Sequence, residues 1–133
     1  MGIWTHWSLN VELRRDTPQH VLDEIRAVVA DPDANVESPM WFLSEAGTTY
    51  QVCRPPALTD WYGDFALTVL ASGKFGAGVE SVVDYLAPYV RTHGTGFSGW
   101  KQSEEDDYPT LLYIQDGVVT WRNVEGTKRN WRQ

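Results

Sequence analysis

The pattern predicts an α+β fold: a ferredoxin-like two-layer sandwich, with a mostly antiparallel sheet, two helices on one face and an extra C-terminal hairpin. Three observations carry this. The chain opens on a strict polar/apolar alternation, two helical stripes of apolar residues each lie between strand-like segments, and Asp116-Gly117 separates two β-rich runs.

Trp7, Leu9, Val11 and Leu13 alternate with Ser8, Asn10, Glu12 and Arg14. Period two over that length predicts a half-buried strand. Asp16-Thr17-Pro18 predicts a helix start, with Thr17 as N-cap and Pro18 at the first helical position. Val21, Leu22, Ile25, Val28 and Val29 then recur at helical spacing and leave Asp23, Glu24 and Arg26 outward. Asp31-Pro32-Asp33 stops this helix.

Residues 31–63 carry three prolines beyond Pro32 (Pro39, Pro55, Pro56) and no long period. Trp41-Phe42-Leu43 fits either a short strand or a buried loop anchor, and the β-branched stretch Thr48–Cys53 predicts a strand ended by Pro55-Pro56. From Asp64 the alternation returns. Phe65, Leu67, Val69 and Ala71 face one way, the mostly apolar Ala66, Thr68, Leu70 and Ser72 the other, which predicts a central strand. Gly73–Gly78 leads into a second stripe, Val79, Val82, Val83, Leu86, Ala87 and Val90, with Pro88 distorting its last turn. Phe97–Gln102 predicts a strand and Glu104–Asp107 an acidic connection. Thr110–Gln115 and Val118–Arg122 flank Asp116-Gly117, the sequence of a type I′ hairpin turn.

Length and composition set the domain count. For 133 residues, area scaling gives about 7,000 Å² of folded surface against roughly 22,000 Å² unfolded, enough for one core. Residues 1–124 are expected to form that domain and 125–133 a basic tail. The formal net charge is -7; the last twelve residues carry +3 and leave -10 on the rest. So acidic a body repels phosphate backbones, which argues against general nucleic-acid binding. No apolar run approaches the roughly 18 residues of a membrane helix, and the N-terminus lacks the basic and apolar regions of a secretory leader. With Cys53 the single cysteine, a cytoplasmic location is expected.

The strand ending near Ser72, the Lys74 loop, the helix with Tyr85-Leu86-Ala87-Pro88-Tyr89, and Glu104–Tyr113 followed by Asp116-Gly117 resemble small uncharacterised proteins of actinobacteria and their phages. The most specific element is Glu-Glu-x-x-x-Pro-Thr at 104–110, and Arg15-Asp16-Thr17-Pro18 also fits. The resemblance implies a cytoplasmic bacterial or phage protein and assigns no activity.

No catalytic motif stands out. Gly73–Gly78 could cradle an anion beside Lys74, but Val79-Glu80 stand where a phosphate loop needs Lys and Ser or Thr. A permissive strand-to-helix connection accounts for its glycines. Glu104, Glu105, Asp106 and Asp107 lack the spacing of a calcium loop and suit a solvated turn or an acidic rim. His6, His20 and His93 share no metal-ligand spacing, and neither a metal nor a cofactor is expected.

Seven tryptophans are the anomaly, more than a core of this size needs. Trp61 beside Tyr62, and Trp100 near the acidic turn with Tyr108, are the expected aromatic anchors, and the four acidic residues their rim. The preferred reading is a non-catalytic protein-interaction module, such as a phage- or mobile-element-encoded regulator or inhibitor of a host protein. A small-ligand-binding domain using the sheet face is the alternative, and an enzyme of unrecognised type comes third. The expected partner is a protein, and an unpaired sheet edge also allows a homodimer.

Overall fold

The computed structural model describes residues 4–31, 33–45, 54–61, 64–74 and 78–124. The expected strand at Thr48–Cys53, Tyr62 and the basic tail at 125–133 lie outside them. The architecture is α+β: a six-stranded sheet in which every pair is antiparallel, ordered β2-β3-β1-β4-β5-β6. In chain order the elements are β1 (Trp4–Leu13), α1 (Gln19–Ala30), a 3₁₀ segment (Pro39–Glu45), β2 (Arg54–Trp61), β3 (Asp64–Lys74), α2 (Val79–Leu86), a short 3₁₀ turn (Ala87–Tyr89), β4 (Phe97–Ser103), β5 (Thr110–Gln115) and β6 (Val118–Asn123).

The alternation in β1 is the organising feature. Trp7, Leu9, Val11 and Leu13 are buried and stand opposite Ala71, Val69, Leu67 and Phe65 of β3. They share one core with Val21, Leu22, Ile25 and Val28 of α1, with Val79, Val82, Val83 and Leu86 of α2, and with Leu112 and Ile114 of β5. Fully burying an aliphatic side chain of this size contributes about 1.5–3 kcal/mol, so the shared core is the main source of stability. The residues between them, His6, Ser8, Asn10 and Glu12, are exposed or half-buried.

Four local expectations change. Thr17 does not cap α1. Its hydroxyl donates to the Arg14 carbonyl oxygen at 2.6 Å, closing the turn after β1, and Pro18 occupies the cap position. Residues 41–43 are neither strand nor loop but part of the 3₁₀ segment, which buries Met40 and Leu43 completely. Pro55-Pro56 do not end a strand. They lie within β2, in an irregularity between Arg54 and Ala57 on the sheet's outer edge, where a missing N–H costs no ladder bond. The second helix stops at Leu86, before Pro88, so Val90 is not on it; Val90 forms an isolated bridge to Leu13 instead.

The Asp116-Gly117 turn forms as its sequence demands. Both residues have positive φ, 50° and 81°, and the flanking strands pair in unbroken register from Gln115–Val118 to Thr110–Asn123. No helix among the described residues is long and apolar enough to cross a membrane.

Candidate functional site

The sheet face turned away from the core carries Phe97, Trp100 and Tyr113. Strand register sets one row across it: Leu70, Ser8, Trp100, Leu111 and Arg122 stand side by side on five successive strands. The next row carries Phe97 opposite Tyr113. Their rings meet edge to face at 5.6 Å, and the Arg122 guanidinium lies 4.8 Å over the Tyr113 ring. Phe97 is 54% exposed, while Trp100, Leu111 and Tyr113 are half-buried.

Phe97 and Trp100 are three residues apart, so a regular strand would send them to opposite faces. An extra residue resolves this. Between the Phe97–Tyr113 and Gly99–Leu112 pairs the register shifts by one, a β-bulge that turns both aromatics to the same side. The bulge needs Gly99. Its φ is +156°, and a Cβ there would overlap the Ser8 carbonyl oxygen of β1.

Of the anchors expected from sequence, Trp100 is on this face. Trp61 is not beside it: it closes β2 opposite Asp64, and β3 and β1 separate its strand from β4. The strand order puts the two positions on different sides of β1. Tyr62 is outside the described residues.

Of the acidic residues, Glu105, Asp106 and Asp107 line one hollow of about 330 Å³ with Tyr108, Pro109, Thr110, Asn123 and Val124. Glu104 is held by β1: its N–H donates to the Trp4 carbonyl at 2.9 Å, and its carboxylate accepts the Trp4 N–H at 3.3 Å. Asp106 closes the turn, its carboxylate accepting the Ser103 N–H at 3.2 Å. No group of three or more metal-ligating side chains occurs among the described residues.

A second hollow, about 260 Å³, opens where the sheet splits. β4 follows β1 as far as the Leu9–Gly99 pair, and the chain rejoins β1 at the Leu13–Val90 bridge and at the bond from the Arg91 N–H to the Glu12 carbonyl, 2.8 Å. Between these points residues 92–98 bow away. Val11, Leu67, Val90 and Ile114 contribute apolar lining; Asn10, Glu12, Thr68, His93 and Ser98 add polar groups, and Phe97 also lines it. His93 Nε2 lies 2.6 Å from a Glu12 carboxylate oxygen. Arg91 grips Asp64, with Nε 2.6 Å from one oxygen and Nη2 3.0 Å from the other. The guanidinium holds the Asp64 carboxyl below the usual aspartate range, and the carboxylate in turn raises the Arg91 pKa. The hydroxyl of Ser98 donates to the Gly96 carbonyl at 2.8 Å, so its proton is held by backbone. The arrangement suits recognition of a polar group better than nucleophilic attack, which needs the hydroxyl donating to a base.

Sequence reasoning missed Phe97, Tyr113 and Arg122, and the Glu12–His93 and Asp64–Arg91 pairs. Period two in Thr110–Gln115 does place Leu111 and Tyr113 together, opposite in sense to Leu112 and Ile114. The bulge and both side-chain contacts have no local signal. No family model, curated protein or solved structure matches this chain.

Proposed function

We propose that this chain is a non-catalytic protein-interaction module that binds its partner through the open sheet face around Phe97, Trp100 and Tyr113. The observation that carries the reading is Phe97: a phenylalanine more than half exposed and packed edge to face against a second aromatic ring, beside an arginine. Aromatic side chains and arginine dominate interface energetics, and an apolar centre with a charged rim is the usual anatomy of such a contact. Arg122 and the acidic turn at Glu105–Asp107 supply that rim.

The scaffold is a ferredoxin-like two-layer sandwich. Two features support this reading: the order β2-β3-β1-β4 with a helix after β1 and another after β3, and the shared core that joins both helices to one strand face. The β5–β6 hairpin is then an addition beside β4, and it contributes Tyr113 and Arg122 to the face. The high aromatic content and the acidic body favour, within this reading, a regulator or inhibitor of a host protein.

The expected result is that the tagged chain captures one protein from an actinobacterial lysate, and that Phe97→Ala and Trp100→Ala each lose the capture while circular dichroism stays unchanged. Capture that survives both substitutions rejects this face as the contact. The hollow at the sheet split supports a second reading, a small-ligand site with Glu12 and His93 at its rim. His93→Ala separates the two. It leaves capture intact under the first reading, and under the second it abolishes a metabolite-induced rise in Tm.

A further inference from the structure

The sheet's two outer strands are treated differently by the sequence. At one edge β2 carries Pro55, Pro56 and an irregular register, devices that prevent a further strand from adding. At the other edge β6 is Val-Val-Thr-Trp-Arg-Asn, with no proline and no bulge, and all six of its residues pair in register with β5. No strand lies beyond it among the described residues. Its composition is that of a strand built to be paired.

The hairpin turn determines which backbone groups are available. A two-residue type I′ turn makes Gln115–Val118 a hydrogen-bonded pair, so Val118, Thr120 and Arg122 direct their N–H and C=O groups at β5. Val119, Trp121 and Asn123 therefore direct theirs outward. The chemistry that completes such an edge is another extended backbone.

We propose that the occupant is β6 of a second copy, paired antiparallel about a two-fold axis at Thr120, so that one sheet runs through both molecules. Side-chain complementarity selects this register. Each half-buried Val119 meets the partner copy's Trp121 on the core side of the sheet, extending the apolar layer across the boundary. On the other side Val118, 63% exposed in the single chain, meets the partner copy's Arg122. The two Arg122 side chains are kept a strand's length apart. Shifting the axis by one residue, to Trp121, would bring them closer and place Val119 against asparagine. The interface leaves Phe97 and Trp100 clear and shares only the rim residue Arg122 with the proposed partner contact.

The test is the mass of the full chain by sedimentation over a range of concentration. A monomer–dimer equilibrium is expected. Val119→Pro removes one outward N–H from each copy and no bond to β5, so it weakens association by about tenfold or more, the equivalent of two hydrogen bonds. Thr120→Pro removes an inward N–H and lowers Tm instead. Charge at position 118 provides a test that does not disturb the backbone: Val118→Glu, facing Arg122, tightens the dimer, and Val118→Lys loosens it. A chain that stays monomeric at every concentration overturns the proposal, as it would if the edge served only a strand from a different protein. So does a dimer indifferent to both Val118→Glu and Val118→Lys.

Discussion

A single glycine decides what the open face presents. Gly99 has no Cβ, the Ser8 carbonyl fills the space one would need, and the bulge it permits carries Phe97 and Trp100 to the same side. Because the clash is with backbone, at the last pair of the β1–β4 ladder, no side-chain rotation relieves it. Gly99→Ala is expected to destabilise the fold by about 2–3 kcal/mol, the scale of overpacking in a well-packed site. Urea unfolding measures this directly. An effect within about 0.5 kcal/mol, typical of a neutral surface change, would show that the bulge tolerates a side chain. Gly117 illustrates the opposite case. Its positive φ follows from a dipeptide visible in the sequence, whereas nothing local distinguishes Gly99 from any other glycine.

Between elements, the helices are linked by a polar contact as well as by the shared core. The Tyr85 hydroxyl on α2 donates to the Glu24 carboxylate on α1 at 2.9 Å. Partial burial, and then the neighbouring carboxylate, push the phenol above its usual pKa, so the neutral donor is the form the fold favours. Tyr85→Phe keeps the ring and removes the donor. It should cost about 1 kcal/mol of stability, read as a lower urea midpoint with an unchanged slope, and a change in slope would point to a looser packing of the helices. The amphipathic stripe predicted the inward residues of both helices, Val21, Leu22, Ile25 and Val28 in one and Val79, Val82, Val83 and Leu86 in the other. It could not predict Tyr85–Glu24, because a contact between residues 61 apart in sequence depends on how the helices pack.

At the scale of the molecule, three segments distant in sequence are tied at one end of the sheet. Asp64, which begins β3, accepts from the Arg91 side chain after α2 and from the Arg15 backbone N–H after β1, the latter at 3.2 Å. The folded state lowers the Asp64 pKa, so this clamp contributes its full stabilisation above the ordinary aspartate range. It is lost as the pH falls from that range through the lowered folded value, where the carboxylate takes up a proton. Asp64→Asn should therefore reduce stability at neutral pH and flatten that part of the acid limb in urea midpoints measured against pH. An acid limb as steep as the parent's would mean that Asp64 titrates alike in the folded and unfolded chains.

The sequence by itself determined the α+β class, β1, the cores of both helices, β3 and the β5–β6 hairpin with its turn. Those features depend on period and local backbone chemistry: alternation in Trp7–Arg14, helical spacing in α1 and α2, and positive φ at Asp116-Gly117. Only the tertiary structure decided the site. Trp61 and Trp100 looked equivalent along the chain, but the strand order places two strands between theirs, and what joins Phe97 to Trp100 is a bulge that requires glycine beside a neighbouring carbonyl. Periodicity reports which way a side chain points within its own element. Which side chains meet is decided by strand order and register, and those follow from the core as a whole.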